Sequence, residues 1–161
     1  MKIDELASGT AAQAETARLF DEYRVHYGWP SAPERTHEWL LTQLVSGRLI
    51  AWTASVDSLP DAFVTVAPTP ASLALGVAWQ VRDLYVSPHA RRRGLARALM
   101  AHVLVRANAA AVTRVSLQTE VDNAPALQLY RQLGFKTVDG LCLLNLTMGG
   151  AQSQSEASKK A

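Results

Sequence analysis

Three arginines stand directly before a glycine in the stretch SPHARRRGLARALM, Ser87 to Met100. An alanine-rich pattern of helical spacing follows them. A helix N-terminus carries partial positive charge and repels cations. Arg91, Arg92 and Arg93 are therefore misplaced there unless an anion joins them. A strand, a glycine-containing turn and a helix start make a phosphate site, because free N–H groups and the dipole point at the ligand. Gly94 allows close backbone approach, Ala96 adds only a methyl group, and the arginines supply charge-assisted bonds to phosphate oxygens. The chemistry on offer is recognition of a phosphate or pyrophosphate. Neither GxxxxGK[ST] nor GxGxxG occurs, so the nucleotide-binding loops with those fingerprints are excluded.

The elements that must position this turn follow from spacing. Ala14, Ala17, Leu19, Phe20 and Tyr23 mark a helix over about 11–27, broken by Gly28, Pro30 and Pro33. PERTHEWLLTQLVSG gives a second helix, with Trp39, Leu40, Gln43 and Leu44 on one face and a stop at Gly47. LIAWTASV and AFVTVAP read as strands joined by SLPD, and a loop containing Pro68 and Pro70 follows. GVAWQVRDLYVSP is long and mostly apolar, as suits a central strand covered on both faces. Leu95 to Asn108 is a helix, TRVSLQT a strand, and NAPALQLYRQLG a helix with Pro125 in its first turn and Gly134 as its stop. FKTV and LCLLNLTM read as two closing strands around an Asp139-Gly140 turn. KIDEL is a weak first strand. The order is α-α-β-β-β-α-β-α-β-β. It predicts an α/β, or α+β, protein with a central mixed sheet and helices on both faces.

Composition limits the function classes. The chain of 161 residues is 48% hydrophobic, which suggests one domain over 1–148, and the polar run after Gly149 is expected to be a disordered tail over 149–161. Sixteen basic and fourteen acidic residues leave a net charge of +2, too mild for nucleic acid as the main partner. One cysteine, Cys142, permits no internal disulfide and is most simply a buried strand residue. The four histidines lack metal-ligand spacing, so no metal is expected. MKIDELASGT lacks the apolar core of a signal peptide, and no apolar run approaches the ~20 residues of a membrane span, so a cytoplasmic protein without membrane contact is expected.

Arg91-Arg92-Arg93-Gly94-Leu95-Ala96 fits [QR]-x-x-G-x-[GA], DLYVSP precedes it, and Asn123 to Phe135 fits N-x-x-A-x-x-x-Y-x-x-x-G-F. On these blocks, which run from about Gly76 to Met148, the sequence resembles the GNAT superfamily of N-acetyltransferases. More weakly, DLYV and YRVHYGWPS look similar to its polyamine and protein-amine acetylators. The resemblance implies the GNAT acyltransferase fold and direct acetyl transfer from acetyl-CoA to a primary amine of a small molecule or a peptide.

The resemblance also implies roles at matching positions. Leu84, Tyr85 and Val86 would lie beside the pantetheine arm, with Val86 backbone able to polarise the thioester carbonyl. Arg91, Arg92, Arg93, Gly94, Leu95, Ala96 and Arg97 would surround the pyrophosphate, one of the three consecutive arginines being left to the surface. Asn123 would contact the middle of the coenzyme or simply cap its helix. Tyr130 would protonate the departing thiolate; its competitor role is a core tyrosine beside Leu127 and Leu133. An alkylammonium must lose a proton before it attacks, so a base is needed. Asp83 and Glu120 are the candidates, with Asp83 alternatively paired to Arg82 or Arg114 and Glu120 alternatively a solvated loop carboxylate. His26, Tyr27 and Trp29, in the first interhelical loop, would line the acceptor side, with His26 alternatively a surface histidine. Two-fold dimers are common, which makes a homodimer one option. Two other classes compete: a nucleic-acid or anionic-partner module using the arginines, and a non-catalytic acetyl-CoA sensor.

Overall fold

The computed structural model describes residues 1–148. Five strands form one sheet in the order β1 (Lys2–Glu5), β2 (Ile50–Ser55), β3 (Ala62–Ala71), β4 (Gly76–Val86) and β5 (Arg114–Ser116). The first four pair antiparallel and β5 runs parallel to β4, so the sheet is mixed as the element order predicts. The helices are α1 (Ala11–His26), α2 (Pro33–Val45), α3 (Leu95–Ala109) and α4 (Ala124–Gln132). No helix among the described residues is long and apolar enough to cross a membrane.

Each helix starts where its sequence says it should. Thr10 caps α1 by accepting the Gln13 N–H at 3.1 Å, and Gln13, Thr16, Ala17 and Phe20 form its buried stripe. Pro33 opens α2 and Pro125 lies in the first turn of α4. The helices cover both faces of the sheet. On one face α3 sets Leu95, Leu99, Met100 and Val103 against Trp52, Val64, Val66, Trp79 and Val81. On the other, α1 and α2 set Leu19, Phe20 and Leu40 against Ala51, Phe63 and Tyr85. Phe63 is fully buried and stacks on Phe20 with centroids 5.1 Å apart. Burial of such a side chain contributes about 2–3 kcal/mol.

One residue too many lies in β4. Thr65 pairs with Asp83 but Val66 pairs with Val81, so Arg82 is extra. This bulge shifts the side-chain alternation by one. Leu84 and Val86, rather than Asp83 and Tyr85, continue the α3-facing row of Trp79 and Val81. Asp83 is thereby turned to the α1 side of the sheet beside Thr65.

Several expectations need correction. Pro68 and Pro70 do not form a loop; they continue β3 and pair with Trp79 and Val77. Pairing with β2 ends at Val66, so beyond it β3 has an open edge on that side, where missing proline N–H groups break no ladder. TRVSLQT keeps only Arg114–Ser116 in the sheet. FKTV and LCLLNLTM form no strand, since so short a β5 offers little ladder to extend, although Asp139-Gly140 does turn, with Gly140 at φ +78°. Cys142 is consequently exposed rather than buried. The expected tail at 149–161 lies outside the described residues.

Candidate active site

β4 and β5 share only three residue pairs, ending at Gln80 and Ser116. Beyond them the two chains diverge, and Leu117 to Glu120 line the gap instead of pairing across it. The backbone of β4 faces that gap in a defined way. Ser87 donates its N–H to the Asp61 carbonyl at 2.9 Å, one residue outside the Ala62–Val86 pair. That pair is therefore of the kind that exchanges no hydrogen bond with its partner. The N–H and C=O of Val86, and by the two-residue period those of Leu84, point away from β3 and toward the gap. In this structure Arg91 Nε donates to the Val86 carbonyl at 3.2 Å.

The anion end is built by the turn before α3. Arg92 and Gly94 both adopt left-handed backbone, at φ +62° and φ +82°. No side chain caps α3, so its first-turn N–H groups are left for a ligand. A Cβ built on Gly94 would meet no protein atom within 4 Å, which leaves open space above the turn. Arg91, Arg92, Gly94, Leu95, Ala96 and Arg97 line a cavity of about 430 Å³ there. Arg97 also donates to Gln132 Oε1, tying α3 to α4. The donor set, charge and room fit a pyrophosphate. All three arginines of the run are exposed, and Arg93 alone of them does not line the cavity.

A second cavity of about 740 Å³ adjoins the first through Leu84, Val86, Arg91, Ala96 and Asn123, among other shared lining residues. Asp83, Glu120, Asn123 and Tyr130 line it, with His26 and Tyr27. Trp29 lines neither cavity; it is partly exposed beside the end of α1. Tyr85 sends its side chain into the α1-side core and reaches only the anion cavity. Tyr23 lines both cavities, a position that reasoning from the sequence missed. The available signal was its spacing of four from Tyr27, which puts both rings on one face, 5.0 Å apart and edge-on.

The two carboxylates stand in different surroundings. Burial pushes the Asp83 carboxyl up, against the Thr65 hydroxyl that donates to it and the nearby charge of Arg82. No ion pair joins Asp83 to Arg82 or Arg114 among the described residues. Glu120 is held below the usual range, first by its own backbone N–H and then by the Asn123 amide, 3.4 Å away, and the Tyr27 hydroxyl. Burial, reinforced by Glu120, pushes the Tyr130 hydroxyl up and keeps it protonated near neutrality. Tyr130 also packs on the α3-side core, edge-on to Phe135 at 5.9 Å. Asn123 caps α4 by accepting the Ala126 N–H at 3.3 Å. Among the described residues no cluster of His, Cys, Asp or Glu could hold a metal ion.

Comparison with known proteins agrees with this geometry. An uncharacterized N-acetyltransferase, YhfO of Bacillus subtilis (strain 168), is 28% identical over 131 residues, covering 81% of this chain and 88% of that protein. The crystal structure of a probable acetyltransferase superposes with a TM-score of 0.84 at 29% identity, over 92% of this chain and 98% of that one. The fold alone is shared, at 20% identity and a TM-score of 0.73, with the ribosomal-protein-alanine N-acetyltransferase of Brucella melitensis biovar Abortus 2308, over 91% of this chain and all of that one. An aminoglycoside acetyltransferase from an uncultured soil metagenomic sample gives 16% and 0.76, over 91% and 95% of the two chains. Residues 13–135 match the model of the acetyltransferase (GNAT) family, so the divergent β4 and β5, with the arginine turn beside them, belong to an acyltransferase of that family.

Proposed function

We propose that the protein carries acetyl from acetyl-CoA directly to a primary amine of a small molecule or a peptide. One observation carries this reading. A turn suited to phosphate and a pocket with two carboxylates and a tyrosine lie at adjoining ends of one cleft, along a β4 edge that β5 leaves unpaired beyond Gln80 and whose Val86 carbonyl, among the described residues, only the Arg91 side chain occupies.

Bound acetyl-CoA supplies the thioester. Arg91, Arg92, Arg97 and the amides of Gly94 to Ala96 hold the pyrophosphate, and the backbone of Leu84 and Val86 orients the arm as an added strand does. This brings the thioester carbon beside the carboxylate pocket, and such positioning accounts for much of the barrier reduction. Glu120, ionised well below neutrality, attracts the acceptor as its ammonium. Asp83 is the stronger base, because burial raises its affinity for a proton, and it accepts the proton the amine gives up. Tyr130 keeps its proton until the sulfur leaves and then donates it to that sulfur. Tyr23, His26 and Tyr27 form the wall the acceptor meets.

The test heats the protein with acetyl-CoA, with coenzyme A and with nucleic acid, and then follows thiol release with a panel of polyamines, amino acids, aminoglycosides and peptide amines. A ligand bound only by the folded state raises its melting temperature. A rise with both coenzymes and amine-dependent thiol release are expected. No rise at millimolar coenzyme would overturn the proposal, and a rise with nucleic acid alone would favour the anionic-partner module.

A further inference from the structure

Outside the cleft, three side chains form a chain of hydrogen bonds behind the anion turn. Ser87 Oγ lies 2.8 Å from His89 Nδ1, and His89 Nε2 lies 3.0 Å from Asp61 Oδ1. A carboxylate can only accept, so Nε2 donates, and the Ser87 hydroxyl takes the complementary role at Nδ1. Asp61 is itself fixed on three further sides. Its Oδ2 accepts the Val56 N–H at 2.7 Å, its N–H donates to Ala54, and its carbonyl accepts the Ser87 N–H, both at 2.9 Å. The residue types are those of a hydrolytic triad, but Ser87 is 3% exposed and no substrate carbonyl could reach it. His89 is instead the exposed bridge between the turn after β4 and the β2–β3 turn.

We infer that His89 is a positioning residue that latches the anion-binding turn to the β2–β3 turn before any ligand arrives. The turn needs such a latch. Arg92 holds a left-handed backbone that a side chain disfavours, and arginine-lined loops repel themselves without an anion. Ala90 is fully buried between His89 and the arginines, whereas Arg91, Arg92 and Arg93 are exposed, with Arg91 Nε held by the Val86 carbonyl. Without the His89 bridge the Ser87 N–H still holds the root of the turn to the Asp61 carbonyl, but residues 88–94 beyond it would populate their binding geometry only part of the time, and apparent affinity falls by that fraction. The inference rests on the pyrophosphate reading of the turn.

The test compares wild type with His89→Ala and His89→Gln, whose amide can still donate toward Asp61. Because His89 is exposed, both should fold. Two bonds of ordinary strength correspond to about a tenfold loss. Titration with coenzyme A should show a dissociation constant about tenfold higher for His89→Ala, with the glutamine variant recovering most of it. KM for acetyl-CoA should rise while kcat at saturation stays within about twofold. Deuterium exchange without ligand should quicken over residues 88–94 in His89→Ala and not over α1. Equal coenzyme A binding by wild type and His89→Ala, or unchanged exchange over 88–94, would overturn the latch alone. Failure of wild type itself to bind coenzyme A would overturn the site reading and the latch with it.

Discussion

On the proposed reading, Asp21 is where the wall of the acceptor pocket is fastened, and its removal has a calculable effect. The side chain is nearly buried on α1. Its Oδ1 accepts from Arg24 Nη1 at 3.0 Å, the Ala32 N–H at 2.9 Å and the Thr36 hydroxyl at 3.0 Å; its Oδ2 accepts from Ser31 at 2.6 Å. The three bonds from Ser31, Ala32 and Thr36 close the loop that follows His26 and carries Tyr27 onto the start of α2, and Arg24 joins them from α1 itself. Burial alone would raise the carboxyl; the Ser31, Ala32, Thr36 and Arg24 donors outweigh it and hold the acid below its ordinary value. In Asp21→Ala, Thr36, which is 3% exposed, loses its acceptor, and Arg24 loses its ion-pair partner and keeps only the Pro30 carbonyl and the Thr36 hydroxyl. Stranding buried donors and half an ion pair costs about 3 kcal/mol. For a chain of this size that lowers the melting temperature by about 6–12 °C. Asp21→Asn keeps an oxygen for three donors and offers an amide to the Ser31 hydroxyl, so it should cost about 1 kcal/mol. A depressed acid stabilises the fold above its unfolded value of 3.8 and loses that contribution as pH falls through the lower folded value. The wild-type unfolding curve should therefore fall below about pH 4, and that of the asparagine variant should be flatter there. Denaturant unfolding from pH 2 to 7 measures both. An alanine variant within about 0.5 kcal/mol of wild type, or an asparagine variant as unstable as alanine, would refute the account.

Gly94→Ala places a side chain at φ +82° without any clash, so backbone strain of about 1–2 kcal/mol is the expected loss of stability, seen by thermal melting. The added methyl enters the anion cavity, so coenzyme A titration should weaken by more than the melting change suggests. Tyr130→Phe should lower kcat at least tenfold while coenzyme affinity changes less than threefold; unchanged turnover would remove the tyrosine from the chemistry. Asp83→Asn should lower kcat and abolish the acidic limb of the kcat–pH profile, which in wild type lies above the ordinary carboxylate range because burial raises Asp83. A limb unchanged in that variant would give the base role to Glu120. Phe63→Ala, in the α1-side core, should cost about 3–5 kcal/mol by denaturant unfolding.

The parts legible in the sequence are those written locally. The arginine turn, the helix starts at Pro33 and Asn123, and the glycine stops need only neighbours a few residues away. The Asp21 cluster was not legible, because its partners Ser31, Ala32 and Thr36 lie on the far side of a loop. Pro68 and Pro70 read as loop residues because local propensity cannot know that the neighbouring strand ends at Ile50. The leucines of LCLLNLTM carry strand propensity, yet Leu141, Leu143, Leu144 and Leu146 stay exposed, since propensity without a ladder partner does not make a strand. Tyr23 was counted as a helix-face residue, and only the packing of α1 over β4 turns it into the cleft.

The bulge at Arg82 divides labour along one strand. Residues after it alternate between two duties. Leu84 and Val86 offer the cleft their main chain, which every residue type carries, while Asp83 offers it a side chain. On the proposed reading, coenzyme contacts along β4 are therefore indifferent to sequence, and acceptor chemistry is not. Substitution at position 83 should impair proton removal from the acceptor while leaving the donor's grip intact. Deleting Arg82, by contrast, would make Thr65–Asp83 and Val66–Val81 consecutive pairs, so both duties would survive and the strand would lose only its local bend.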